Sequence, residues 1–176
     1  MSNQRKVVLL IAISIDGYIA REDDSLDWLY KTDFGDDYGF ADFIEPVDAI
    51  LMGRKTYDQI PAKEDEMIYG GRKCYVFSRS VTGASRNIEY VNEDIVKFTT
   101  SLIETEGGTI WVVGGGEMLR PLLQAQLVDE IILQMAPAAI GRGIPLFQGE
   151  GVEMELSLKG VRRFNQLAEL HYVVKK

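Results

Sequence analysis

The chain has 176 residues, 46% apolar and 26% charged, the proportions of one soluble globular domain spanning 1–176. Its 19 basic and 27 acidic side chains leave a net charge of −8, which a nucleic-acid backbone would repel. One cysteine, Cys74, and one histidine, His171, exclude a disulfide framework, a multi-thiolate site and a histidine-rich metal centre, so no metal is expected.

The first predicted element is the apolar run 7–13, which has the length of a strand buried on both faces. It is too short to span a bilayer and has no small-residue cleavage site, so a cytoplasmic protein with no membrane partner is expected. Asp16-Gly17 ends it in a turn. Residues 33–44 carry Phe34, Tyr38, Ala41 and Ile44 at helical spacing, and Pro46 closes that stretch. Strands are predicted at 48–52 and 75–77. A helix follows with Asn92 as its cap, Ile95, Phe98, Leu102 and Ile103 on one face, and Gly107-Gly108 as its stop. A fourth strand, 109–113, precedes a helix marked by Met118, Leu119, Leu122 and Leu123. From Val128 on, three strands are predicted at 128–135, 152–158 and 167–174 with no helix between them, an antiparallel finish to an α/β sheet. The acidic clusters Asp23-Asp24, Asp36-Asp37 and Glu64-Asp65-Glu66 lack calcium-loop spacing and read as solvated loops.

Three strand ends carry groups suited to phosphate. The strand around Trp111 runs into Gly114, Gly115 and Gly116, then into a helix opened by Glu117, Met118 and Leu119. Glycine lets a ligand approach the backbone, and a helix start offers unpaired N–H groups at its positive end. A tight turn packed for its own sake would also need glycine. Gly53, Arg54, Lys55 and Thr56 place two cations and a hydroxyl at a helix start, where cations oppose the dipole and argue for an anionic partner. Ser78, Arg79 and Ser80 set a guanidinium between two hydroxyls. Each alone fits an ordinary polar turn. Together they lie at the edge where α/β sheets bind ligands, and they imply a dinucleotide. No G-x-G-x-x-G follows the first strand, so this is not a Rossmann fold.

The order of these pieces resembles the dihydrofolate-reductase-like superfamily over most of the chain. The resemblance implies a single-domain α/β fold: a mixed, mainly parallel sheet flanked by helices, with antiparallel C-terminal strands. It also implies NADPH as cofactor. Met52-Gly53-Arg54-Lys55-Thr56-Tyr57 looks like the family's M-G-R-x-T-W/Y segment at the NADPH phosphates, and Phe77-Ser78-Arg79 resembles its strand end near the adenosine 2′-phosphate. Val113-Gly114-Gly115-Gly116 is similar to the turn that cradles the pyrophosphate, which implies a cis Gly114–Gly115 bond. Residues 137–147 read P-x-x-x-G-x-G-x-x-L-F and, with Asp16-Gly17-Tyr18-Ile19-Ala20, look like the reductase domain of riboflavin-biosynthesis deaminase-reductases and its stand-alone bacterial relatives. The H-x-E…C-x-x-C region of the deaminase half is missing from the sequence.

The resemblance thus implies an NADPH-dependent oxidoreductase, similar to dihydrofolate reductase or 5-amino-6-(5-phosphoribosylamino)uracil reductase. It would pass hydride to a small pterin- or pyrimidine-like heterocycle. A non-catalytic NADPH-binding module and a true dihydrofolate reductase are the alternatives. Ala12 and Ile19 would border the nicotinamide and exclude water. Asp37, at the family's carboxylate distance before Met52, is the first candidate proton donor. Asp16 is the second, and it reads equally as a turn residue. Asp33 and Asp36 lie close to Asp37, and all three read equally as solvated; Gln134 stands nearest the family threonine that would bond the carboxylate. Arg72 would bind substrate as the family's tail-binding arginine, after a loop at 61–70 that is longer than usual. Trp28 is either an anchor closing over the site or a core residue. Cys74 and His171 read as packing residues, and relatives imply a homodimer through the C-terminal strands.

Overall fold

In this computed structural model residues 4–60, 70–149 and 151–176 are described. The expected first strand is β1 (Val7–Ile13), and its alternating side chains divide between two cores. Val7 and Leu9 pack with Leu51, Ile110, Val112 and Leu119, while Val8 and Leu10 pack with Ile50, Met52, Val76 and Trp111. Burial on both faces is the reason these strands read as continuous apolar runs.

β1 pairs in parallel with β7 (Thr109–Gly114) on one side and β8 (Glu130–Met135) on the other. Beyond β7 lie β3 (Val47–Gly53), β4 (Lys73–Phe77) and β6 (Ile88–Val91), all parallel, and then an antiparallel edge, β5 (Gly83–Ser85). Beyond β8, β11 (Leu167–Val174) and β10 (Leu156–Phe164) run antiparallel. The nine-stranded order is β10-β11-β8-β1-β7-β3-β4-β6-β5, with β2 (Tyr18–Ala20) and β9 (Ile144–Pro145) paired separately. The fold is therefore the mixed, mainly parallel α/β sheet with an antiparallel C-terminal tail that the sequence implied.

The described helices are α1 (Asp27–Tyr30), α2 (Phe40–Ile44), α3 (Arg54–Asp58), α4 (Ile95–Ile103) and α5 (Gly116–Gln124). Met118, Leu119, Leu122 and Leu123 of α5 are buried as expected, and Ile95, Phe98 and Leu102 of α4 pack against the same core. No helix among the described residues is long and apolar enough to cross a membrane.

Four expectations need correction. The helix expected over 33–44 is only α2, because Gly35 and Gly39 adopt left-handed φ of 73° and 76° and break the turn pattern before it. The cap of α4 is Asp94, whose side chain accepts from the Lys97 N–H at 3.0 Å, and not Asn92. The strand expected over 152–158 is β10, six residues further at its end. Its side chains are mostly exposed, and its backbone pairing with β11 defines it where apolarity does not. The Gly114–Gly115 bond is trans, since two consecutive glycines at φ 127° and 102° make the reversal themselves. The acidic cluster Glu64-Asp65-Glu66 and nearly all of the 61–70 loop lie outside the described residues.

Candidate functional site

The C-terminal ends of β8, β1, β7, β3 and β4 open into one cleft of about 990 Å³. Gly53, Arg54, Lys55 and Thr56 line it from β3 and α3. Ser78, Arg79 and Ser80 line it beyond β4, and Gly115, Gly116, Glu117 and Met118 line it beyond β7. Ala12 and Ile19 line it as well. Of the expected cofactor residues only two stand back from it. Leu119 is fully buried in the core, and Gly114 has the Ile11 side chain 2.7 Å from where its Cβ would be.

The turns touch one another. A Cβ on Gly115 would lie 3.7 Å from Thr56 Oγ1, and one on Gly53 would lie 3.4 Å from Met118 Sδ. At Gly115, with φ 102°, any side chain would be strained, so glycine here is a conformational requirement. Gly115 caps α5 and its carbonyl accepts from the Met118 N–H at 3.0 Å, while the Gly116 and Glu117 N–H groups ahead of it have no helix carbonyl one turn back to bond. At the positive end of the helix such groups are donors suited to an anion.

Cations stand along the same wall. Arg54 Nε bonds both oxygens of Asp58 at 2.7 and 2.9 Å, and its guanidinium lies 5.6 Å over the Tyr90 ring. That leaves the outer nitrogens of a fixed fork for an oxyanion. Among the described residues neither Lys55 nor Arg79 has a carboxylate partner. The Ser78 hydroxyl oxygen accepts from the Ser80 and Val81 N–H groups at 3.3 and 3.0 Å, which fixes the loop that carries Arg79. Those two amides are therefore taken by the protein.

The other candidates lie elsewhere. Asp37 is exposed and off the cleft wall; its Oδ1 accepts from the Phe40 N–H at 2.9 Å and caps α2. Asp16 ties the turn between β1 and β2 to the loop before β9, accepting from Ser14 Oγ at 2.6 Å and from the Gly141 and Ile140 amides at 2.8 and 3.2 Å. The Ser14 hydrogen bond, with those amides, keeps its carboxyl below the usual carboxylate range, which makes it a poor acid. Arg72 sits at the opposite end of the sheet, where its Nε bridges the Ile44 and Val47 carbonyls, a structural role and no substrate contact. Trp28, 4% exposed, packs with Ala136 and Leu167 in a third core cluster and not over the cleft. Cys74 is a buried thiol in no disulfide, and His171 bonds Glu130 at 2.6 Å.

Sequence reasoning reached Gln134 only through the family resemblance and missed the cleft's aromatic wall and Gln148. Phe34, Tyr38, Phe40 and Trp111 line it, and so do Gln134 and Gln148. Trp111 is held edge-on by Phe40 and Phe43, with centroids 5.6 and 5.4 Å away, and donates Nε1–H to the Leu10 carbonyl. A lone amide at 134 within an apolar strand is the signal that could have found that wall.

Comparisons with known proteins agree with this architecture. The chain is 38% identical to the uncharacterized protein YwjB of Bacillus subtilis (strain 168), over 97% of this chain and 98% of that one. It superposes on a Shewanella sp. PV-4 protein described as "Putative riboflavin biosynthesis protein" with a TM-score of 0.84 and 25% identity, over 97% and 99% of the two chains. It shares the fold of the Thermotoga maritima diaminohydroxyphosphoribosylaminopyrimidine deaminase/5-amino-6-(5-phosphoribosylamino)uracil reductase, with a TM-score of 0.71 and 16% identity. That match covers 98% of this chain and 57% of the longer enzyme. The RibD C-terminal domain profile matches residues 73–168, just over half the chain and the stretch from β4 through the glycine turn into β11. The chain belongs to the RibD C-terminal domain family, within the dihydrofolate-reductase-like fold.

Proposed function

We propose that the cleft binds NADPH and that the protein is an oxidoreductase acting on a small unsaturated, pterin- or pyrimidine-like heterocycle. The observation that carries this reading is the meeting of three phosphate-competent turns in one cleft, with Thr56 against Gly115. The residues fit the cofactor. Five adjacent strands at about 4.8 Å per step give a floor of about 19 Å, long enough for an extended dinucleotide. Gly115 leaves space for a pyrophosphate at the α5 amides, and Arg54, Lys55 and Arg79 stand where further phosphate charge would lie. Ala12 and Ile19 give the far end an apolar border for a nicotinamide ring. Family membership, and the reductase named in the Thermotoga enzyme, support the same class of chemistry.

Bound NADPH would supply the hydride; the chain orients, desolvates and holds. The first-turn amides of α5 and the Arg54 fork fix the phosphates, and so fix where the ring end reaches along β1. Ala12, Ile19, Leu10 and Trp111 keep bulk water from the reacting face. Asp37 and Asp16 are committed to backbone amides outside the cleft, so neither is placed to supply the accompanying proton. The apolar side chains Leu158 and Val161 exposed on edge strand β10 suit pairing with a second copy of the chain, a state that sedimentation would read directly.

Titration with NADPH, followed by quenching of tryptophan emission, tests the reading, because Trp111 lies on the cleft wall and Trp28 does not. Saturable binding that Gly115→Val or Arg54→Ala weakens is expected, with NADPH oxidation in a panel of pterins and pyrimidines. Unchanged affinity in both variants would refute the site. Tight binding with background oxidation across the panel would leave a non-catalytic NADPH module.

A further inference from the structure

Next to the proposed nicotinamide position a polar row crosses three strands, in register with Ala12 of a fourth. Ala12, Gln134 and Glu169 are register partners across β1, β8 and β11, and Arg162 of β10 is paired with Glu169. Glu169 is 1% exposed and Gln134 5%, depths at which polar groups persist only with their hydrogen bonds made. Arg162 donates Nε and Nη2 to Glu169 Oε1 at 2.8 and 2.6 Å. Gln134 Nε2 donates to Glu169 Oε2 at 3.0 Å and to the Tyr38 carbonyl at 3.1 Å. Both of those partners are acceptors, so turning the amide over would set oxygen against oxygen twice. With both its hydrogens engaged, the locked amide has Oε1 left to present to the cleft, which Gln134 lines beside Leu10, Ala12, Tyr38 and Trp111.

We propose that Gln134 Oε1 selects the substrate by requiring a ring N–H donor, as a neutral lactam or cyclic imide presents, with Glu169 and Arg162 as positioning residues. This rests on the reading of the cleft as a site for NADPH and a heterocycle. A fixed acceptor in an apolar wall discriminates chiefly by what it rejects: a ligand without a donor strips its water and returns nothing. Arg162 neutralises Glu169, so the row asks for a donor and not for a cation.

The probes are lumazine, whose ring nitrogens carry hydrogens, and 1,3-dimethyllumazine, whose ring nitrogens do not. Their affinities are measured by calorimetry on protein saturated with NADP⁺. The wild type should prefer lumazine by at least about tenfold. Gln134→Met should abolish that preference, chiefly by weakening lumazine. Glu169→Gln, which frees the amide to turn, should reduce it to a few-fold, and both variants should keep wild-type NADP⁺ affinity. Equal binding of the two probes by the wild type, or failure of lumazine to bind it, overturns the proposal. So does a preference that survives in Gln134→Met, since size alone would then explain it. If NADP⁺ itself does not bind the wild type, the underlying cofactor reading fails instead.

Discussion

The two ends of the sheet treat charge differently, although Arg54–Asp58 and Arg162–Glu169 are ion pairs near the C-terminal ends as well. At the N-terminal ends of the strands ionic groups are spent on one another. Arg5 pairs with Asp48 and bonds the Gly108 carbonyl, Arg72 bridges two carbonyls, and Glu130 takes Lys6, Lys159 and His171. At the C-terminal ends Lys55 and Arg79 have no carboxylate partner among the described residues, and the α5 start has no side-chain cap. Saturated groups stabilise the fold, and unsaturated ones at the other edge are available to a ligand. The contrast supports the proposed placing of the ligand at the C-terminal edge without reference to any relative.

Variants can break that contrast. The largest effect is expected from Gly115→Val, which strains a φ of 102° and moves the α5 amides. NADPH affinity should fall by about a hundredfold or more, read by fluorescence, while far-ultraviolet dichroism keeps its shape. Next is Glu130→Gln at the saturated end. Burial raises the Glu130 pKa, but hydrogen bonds from Lys6, His171 and Lys159 outweigh it and bring it from 4.5 to about 2. A depressed carboxyl stabilises the fold above its unfolded pKa and loses that contribution as pH falls through the folded value. Glu130→Gln should therefore cost on the order of 2 kcal/mol at pH 7, where screening trims the full linkage value. Urea midpoints of the two proteins should converge between pH 4.5 and 2, with cofactor affinity at pH 7 unaffected. A constant gap across that range would show that the Glu130 charge is not what stabilises this end.

Arg54→Ala should weaken NADPH about tenfold and lessen the salt dependence of binding, as loss of one charged phosphate contact does. Asp37→Ala sharpens the comparison from the other side. It should lower stability by about 1 kcal/mol through loss of the α2 cap and leave cofactor affinity within twofold. A large fall in turnover at unchanged stability would return Asp37 to the site.

Much of this was legible in the sequence, for physical reasons that can be named. Strands buried on both faces must be apolar throughout, so β1, β3, β7 and β8 stood out, and the glycine and basic turns stood out because they follow those strands directly. What was not legible depends on long-range packing. Whether Asp37 faced the cleft or capped α2 turned on Gly35 and Gly39 breaking the 33–44 pattern. Whether Arg72 reached substrate turned on which end of β4 it occupied. β10 was misplaced because its exposed, basic face lacks the periodicity of a core strand. Gln134 was placed only as the residue nearest the family threonine, and its partner Glu169 comes from β11, far along the chain.

The turns at Gly115, Gly53 and Ser78 hang from β7, β3 and β4, which are immediate neighbours. Their spacing is thus a property of the interstrand ladder, which side-chain changes cannot stretch. A guest that matches this gauge meets a template already set and surrenders only its own freedom on docking. One whose charges fall at another pitch could be accommodated only by rewriting strand order. The backbone ladder itself is the ruler, and the side chains are free to vary what is measured against it.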